Sequence, residues 1–587
     1  MCGIAGLILS SAAPPPDAAM LSRMIRALAH RGPDGNGHIV IGRAALAQSR
    51  LAIIDLETGD QPLFSGPATL VANGEIYNYR ELRAELGEEN FSTHSDCEPA
   101  LVLWRQEGPA YAERLRGMFA IAIHERGARS VTLTRDPFGI KPLYITQTAD
   151  GLAFASEPRA LLDSGVVSRR LRTSARDELL QMQFTTGSET IFEGISRILP
   201  GETLTCTEGH VIDRQRQPAL PEGGPEDIDE DSALERLDRA LEESVLLHQR
   251  SDVPYGMFLS GGVDSSAVLA MMGRLNNQPV LAYTAGWDVD GAEDERAHAA
   301  VVAKAAGAQY EPVEITEAMV WEHLPEIVAC MDDPAADYAI IPTWFLARRA
   351  RQDVKVVLSG EGGDELFGGY GRYRRAMRPW WLGGRVMRGC GNFDKLNVLR
   401  RRPTGWRDGF TASEQDAVNG GRSRLAAAQA ADVADWLPHD LLLKLDRCLM
   451  AHGVEGRTPF LDPGVAAAVF RLPDHLKLQG RIGKWVLRRW LERHLPQAAP
   501  FAPKRGFTVP VGAWITGRAE RLGRLVAAQP GVAELAETGK VEALFRKAEE
   551  ARAGFAAWLL LFYALWHRRH IMGLQPAGDV FDTLSAT

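Results

Sequence analysis

The sequence predicts two domains of different class, a strand-rich α+β domain followed by an α/β domain built on a parallel sheet. Three observations carry that expectation. Before about residue 206, short apolar strands such as 68–72 and 119–124 are separated by turn clusters, RGPDGNG and DPFG among them. Residues 215–231, QRQPALPEGGPEDIDED, are rich in Pro, Gly and acid and lack hydrophobic periodicity, as interdomain linkers do. Beyond them, apolar strands at 255–259, 280–284 and 354–358 alternate with helical patterns at 232–248, 265–275 and 295–306, the βαβ rhythm of a doubly wound sheet. The expected division is 1–205, a linker at 206–231, and 232–587.

The chain's 587 residues exceed the roughly 250–300 at which single cores split, which excludes a one-domain binding module. Lys plus Arg (66) against Asp plus Glu (75) leaves a net charge of −9, which argues against nucleic acid or an anionic membrane as principal partner. The six cysteines are scattered, with no CxxC pair and no zinc spacing, which suits the reducing cytoplasm. The first residues, MCGIAGLILSS, lack the positive region of a secretory signal, the first basic residue being Arg23, and are expected to form a buried strand. The apolar run 556–566 is too short to span a bilayer and is expected to be a core helix. Residues 372–407 hold eleven Lys or Arg against one acid, Asp394, and read as a solvated basic insertion.

Taken from the amino terminus, the first chemical signal is Cys2. Removal of Met1 leaves a thiol and a free α-amine on one residue, and an amine with a pKa of roughly 7.7–8 can take the thiol's proton near neutral pH. A cysteine buried in a first strand is the other reading. Arg50, opening RLAIID, can clamp a carboxylate through two parallel hydrogen bonds. In NGEIYN, Asn73 and Gly74 offer a side-chain amide and a backbone N–H to an oxyanion, and Glu75 can bind an ammonium. Asp96, in SDCE, adds a second acid. One cation, two acids and an oxyanion hole around a thiol describe a pocket for an amino acid with a carbonyl side chain, such as glutamine. MCGIAG, HRGPDG, RLAIID, NGEIYN, SDCE and GMFAIAI, in this order, resemble the class II glutamine amidotransferase domain. The resemblance implies a four-layer αββα sandwich with Cys2 as nucleophile, Asn73 and Gly74 holding the tetrahedral intermediate, and Arg50, Glu75 and Asp96 holding the glutamine.

In the second domain YGMFLSGGVDSS runs from a strand through two glycines into a helix, so that backbone N–H groups of Ser260, Gly261, Gly262, Asp264, Ser265 and Ser266 can cradle phosphate. The loop lacks the GK[ST] of a Walker motif and does not imply γ-phosphoryl transfer. A second loop, LSGEGGDELFGGY, presents Glu361, Asp364 and Glu365 at the end of a strand, where α/β sheets bind ligands. Asp264 and Asp364 are the natural Mg²⁺ ligands, since that ion takes one or two carboxylates plus phosphate oxygens.

SGGVDSS, LSGEGGDELFGGY, HGVEGRTPFLD and GKWVLR resemble the glutamine-hydrolysing asparagine synthetase family. The resemblance implies ATP and Mg²⁺, an aspartyl-AMP intermediate, Leu259, Ala285, Ser359 and Gly360 along the nucleotide, Glu361 acting on the acyl-adenylate and incoming ammonia, and Lys484 stabilising charge. It also implies glutamine and aspartate as small-molecule partners and a cytoplasmic homodimer. The sequence departs from the family at Leu449, where Ser is frequent, at Gly456, where Ala is frequent, and over the acceptor-side segment 332–344. A paralogue amidating another carboxylate, in a peptide or cell-surface saccharide pathway, is the alternative, and a catalytically silent scaffold a more distant one.

Overall fold

The computed structural model describes residues 2–127, 129–287, 295–379, 381, 386–503 and 509–586. Residues 1, 128, 288–294, 504–508 and 587, with residues 380 and 382–385 of the basic stretch, lie outside the described residues.

The first domain holds two antiparallel six-stranded sheets. One comprises β1 (Cys2–Leu9), β2 (Gly35–Ile41), β3 (Ala44–Arg50), β8 (Tyr144–Gln147), β9 (Gly151–Ala155) and β10 (Ile195–Arg197), in the order β10-β8-β9-β1-β3-β2. The other comprises β4 (Leu63–Ser65), β5 (Ala68–Ile76), β6 (Gly117–Glu125), β7 (Ser130–Arg135), β11 (Glu202–Thr207) and β12 (His210–Arg216), in the order β12-β11-β7-β6-β5-β4. Strand alternation assigns the layers, because successive side chains point to opposite faces. Ile4 and Ile8 meet Val71, Ala120 and Leu133 between the sheets. Ala5 and Leu7 face α1 (Ala18–Ala27), while Leu70 and Ile121 face α2 (Tyr79–Leu86) and α3 (Glu98–Glu107). With α4 (Pro158–Ser164) beside β9, the result is the expected helix–sheet–sheet–helix sandwich.

Residues 206–216, expected in the linker, belong instead to this domain. Thr203 to Thr207 pair with β7, and β12 returns antiparallel on the outer edge. The alternation of Leu204 and Cys206, buried between the sheets, is a strand pattern that the nearby polar stretch obscured.

The second domain is built on a parallel five-stranded sheet of β13 (Tyr255–Phe258), β14 (Leu281–Trp287), β15 (Gln309–Ile315), β16 (Val356–Leu358) and β17 (Glu455–Arg457), in the order β15-β14-β13-β16-β17. The chain order reverses between β13 and β16, which opens a crevice at their carboxyl ends. Both predicted loops leave from those two ends. The helix Ala551–His570 contains 556–566 as a buried core element, and among the described residues no helix is long and apolar enough to cross a membrane.

The basic stretch is only partly solvated. Arg400, Arg401 and Arg402 are exposed, but Arg372 bonds Asp432 at 2.8 Å and lies 3.7 Å over the Tyr370 ring, and Arg388 lies 3.7 Å over Trp436. Planar guanidinium groups stack on aromatic faces, which composition alone does not reveal.

Candidate functional site

Two candidate sites are present, one in each domain. In the first, the antiparallel register of β1 and β3 sets Cys2 directly opposite Arg50. The Cys2 backbone nitrogen donates to Asn73 Oδ1 at 3.1 Å across the sandwich. Asn73 is fully buried and its Nδ2 has no hydrogen-bond partner, so an amide donor is fixed beside Cys2 with its N–H groups unspent. Gly74 cannot be replaced without moving backbone, because a Cβ there falls 2.0 Å from the Met118 carbonyl oxygen. Burial pushes the Cys2 thiol up, and the Leu51 backbone N–H draws it back.

Arg50 spends its fork on the loop that follows it, donating to Asp60 at 2.7 Å and to the Asp55 carbonyl. Asp60 is 82 % exposed, so an incoming carboxylate competes with a solvated partner. Glu75 and Asp96 are both buried, and the negative charge of Asp96 adds to the burial of Glu75. Burial, with Asp96 and Glu455 nearby, holds Glu75 well above the usual carboxylate range, and burial pushes Asp96 up to about 6 against the pull of the Ile76 N–H at 2.8 Å. A cluster of that kind favours a cation.

Sequence reasoning missed three neighbours of this site. Arg31, in the HRGPDG motif, is fully buried and donates from Nε to the Cys2 carbonyl oxygen at 3.1 Å, while its Nη groups reach Asp446 of the second domain at 2.8 and 2.9 Å and Glu157 at 2.8 Å. Glu455 and Arg457, on β17, approach Glu75 from the second domain. Polar residues in a three-residue strand give little warning of such a role.

In the second domain a cavity of about 270 Å³ lies in the crevice between β13 and β16. Of the residues expected along a nucleotide, Leu259, Ser260, Asp264, Ser265, Ala285, Ser359 and Gly360 line it, whereas Gly261, Gly262 and Ser266 do not. Gly261 turns the loop with φ at +68° and Gly262 caps the helix Val263–Leu275, whose amino terminus faces the crevice. Ser260 and Ser265 hydroxyls bond at 3.0 Å, and Ser266 is buried in the first turn.

Lys484, at the start of the helix Trp485–His494, binds Asp264 and, at 2.7 Å, Asp364. These carboxylates raise its pKa against desolvation, the largest contribution, so it stays charged. The glycines of the second loop permit the arrangement: a Cβ at Gly363 falls 2.5 Å from Asp264 Cγ, and one at Gly369 falls 1.8 Å from Asp364 Oδ1. Two carboxylates converging on a cation are a donor pair that suits Mg²⁺.

Glu361 sits elsewhere in the same cavity, 3.8 Å from Lys444 Nζ, which also bonds Asp337 at 3.2 Å. Burial raises the Glu361 pKa and Lys444 lowers it. The sequence reading passed over Lys444, although a lysine inside the run LLLKLDRCLM is a signal, since a lysine is rarely buried unless paired. The segment 332–344 borders this region: Ala339, Pro342 and Thr343 line the cavity, and Asp332 bonds Arg447 at 2.7 Å.

Comparison with known proteins agrees with this geometry. Residues 236–568 match the asparagine synthase family and residues 1–216 the glutamine amidotransferase domain. The glutamine-hydrolysing asparagine synthetase 1 of Bacillus subtilis is 31 % identical, over 97 % of each chain. Asparagine synthetase B of Escherichia coli is 30 % identical over 84 % of this chain and 79 % of its own. A second Bacillus subtilis asparagine synthetase is 29 % identical over 86 % of this chain and 72 % of its own.

Proposed function

Since the chain belongs to the asparagine synthase family, as an ATP-dependent glutamine amidotransferase, we propose that its acceptor is aspartate, converted to asparagine through aspartyl-AMP. The observation that carries the reading is the union, in one chain, of a thiol beside an unspent amide donor and a crevice holding Glu361 apart from the Asp264–Lys484–Asp364 cluster.

In the first site Cys2, freed of Met1, gives its proton to its own α-amine and attacks the glutamine amide carbon. Asn73 Nδ2 and the Gly74 N–H bind the resulting oxyanion, worth about 2.7–4 kcal/mol per donor. Arg50 holds the substrate carboxylate, and Glu75 with Asp96 its ammonium. Ammonia leaves with the proton from the amine, and water then releases glutamate from the thioester.

In the second site the aspartate side-chain carboxylate attacks the α-phosphorus of ATP and pyrophosphate departs. Lys484 stabilises the charge that accumulates there, and the residues of the SGGVDSS loop hold the phosphates. Mg²⁺, when bound at Asp264 and Asp364, neutralises phosphate charge. Glu361 accepts a proton from ammonia as it adds to the acyl-adenylate, and AMP leaves with the bond it shared with the carbonyl carbon. Lys444 and Asp337 lie beside Glu361 and form a charged pair suited to the two charges of the aspartate α-carbon. The proposal includes internal passage of ammonia, a homodimer, and a cytoplasmic setting supported by six free thiols.

The deciding experiment supplies ATP, Mg²⁺ and glutamine with a panel of carboxylates and measures AMP, pyrophosphate and amide. Turnover with aspartate alone is expected. Turnover only with another carboxylate overturns the acceptor assignment.

A further inference from the structure

The glutamine site is closed on one side by the second domain. Arg457 is fully buried, and three of its contacts are fixed: Nε donates to Glu455 at 2.6 Å, and Nη1 to the carbonyl oxygens of His248 and Arg250 at 2.8 and 2.7 Å. Its Nη2 has no hydrogen-bond partner and stands 3.6 Å from Glu75 Oε2, which also has none. A buried guanidinium nitrogen and a buried carboxyl oxygen, each without a hydrogen-bond partner, thus face each other across the domain boundary. That geometry is too long for a direct hydrogen bond and short enough for strong attraction at low dielectric.

We propose that Arg457, carried on the synthetase sheet, is a positioning residue of the glutaminase: it favours the carboxylate form of Glu75 against the surrounding acids and aims it at the ammonium of glutamine. The inference rests on the glutamine-binding role given to Glu75 above and extends that site into the other domain. Glu75 faces two further acids, Asp96 on its own side and Glu455 from β17, as well as the Tyr77 hydroxyl and the Cys2 thiol. Of the charged side chains on β17, Arg457 alone is positive, so its loss disfavours the carboxylate form of Glu75 further and weakens its attraction for an ammonium. β17 pairs in parallel with β16, which runs straight into Ser359, Gly360 and Glu361. The group that prepares glutamine binding is therefore hydrogen-bonded, through one strand, to the segment that carries the adenylation site.

The test uses Arg457→Lys and Arg457→Gln in the full chain. Glutamate release and ammonia-dependent synthesis are measured across pH. For Arg457→Lys the KM for glutamine is expected to rise at least tenfold, with the acidic limb of kcat/KM for glutamine moving to higher pH, while ammonia-dependent kcat stays within about twofold. Arg457→Gln should show a larger rise. In a Glu75→Gln background the further effect of Arg457→Lys on KM should vanish. An unmoved KM and limb in either folded variant, equal loss of both activities, or an undiminished effect in the Glu75→Gln background overturns the inference. Wild-type glutamate release is the control: its absence counts against the glutaminase reading itself, whereas its presence with an unmoved variant KM counts against Arg457 alone.

Discussion

Gly369→Ala should silence synthesis and leave glutaminase activity intact. A Cβ at that position falls 1.8 Å from Asp364 Oδ1 and 2.2 Å from Lys484 Cε. Neither atom has a long free arm, since Asp364 has a short side chain and Lys484 Nζ is already bound to Asp264 and Asp364. To restore ordinary contact the carboxylate and the lysine must each retreat by more than about 1 Å, and a misplacement of that size in a catalytic group costs roughly 10²-fold in rate. The charge cluster breaks as it moves, so the loss falls on the step at which negative charge gathers on the α-phosphorus. Aspartate-dependent pyrophosphate release should therefore drop at least about 10²-fold. Glutamate release, measured in parallel, should stay near wild type because Gly369 lies in the other domain, and a thermal melt separates a local effect from unfolding. Wild-type pyrophosphate release from folded Gly369→Ala would refute the reasoning, because the cluster could then tolerate displacement and would not be the charge-stabilising centre.

Three other outcomes are expected. Cys2→Ala should abolish glutamate release and glutamine-dependent synthesis while ammonia-dependent synthesis survives; parallel loss of both in a folded protein removes Cys2 as the nucleophile. Burial and the adjacent Asp364 push Glu365 up to about 8, so between its ordinary value and that point the folded chain holds a proton the unfolded chain has released, and the group's contribution to stability falls as pH rises across the window. Glu365→Gln should flatten that fall, a matter of a few kcal/mol, roughly, in denaturant titrations at pH 5 and pH 8.5; identical slopes with and without the substitution dismiss the protonated state. Gly456→Ala should destabilise by about 1–3 kcal/mol, since its Cβ meets Leu449 Cδ2 at 2.9 Å, and Leu449→Ser should restore most of the loss in the double variant.

The last of these shows what the sequence contained in a form that could not be read from it. Leu449 and Gly456 stand out singly as departures from the family, yet they face each other, and the larger side chain at one occupies the space that the missing Cβ leaves at the other. Motifs were legible where chemistry and chain proximity coincide: the SGGVDSS turn, the glycines of LSGEGGDELFGGY, and the strand that begins at Cys2. Elements were legible where apolar residues keep a period, which located β13, β14 and β16 to within three residues of their ends. The strands β15 and β17 were not, because QYEPVEI carries Pro312 on an edge and EGR is polar throughout. Their identity as strands comes from pairing with distant neighbours. Arg31, Lys444 and Arg457 were missed for the same reason: each draws its significance from partners more than eighty residues away in the chain, or in the other domain.

Those long-range partners converge on one short stretch. The helix Leu442–Met450 supplies Lys444 to the crevice of the second domain and Asp446 and Arg447 to the domain boundary, and β17 follows with Glu455 and Arg457 behind Glu75. Arg31, Glu157, Asp446 and Arg447 are all nearly inaccessible to solvent. Burying such charges costs several kcal/mol per ion, and apolar residues of similar volume often serve stability as well or better, so stability alone does not account for them. Geometry does. A guanidinium held in both prongs by Asp446 accepts little rotation or slippage of one domain against the other, whereas an apolar contact tolerates both. The same Arg31 grips the Cys2 carbonyl oxygen, so the orientation fixed at the boundary reaches Cys2 through one side chain. A displacement that loosened Asp446 would leave a buried charge unpaired at a cost of roughly 3–5 kcal/mol and would move the thiol at the same time. The two candidate sites are thus held in register by groups whose desolvation is recovered only when both domains are correctly seated, which is what the proposed transfer of ammonia from one to the other requires.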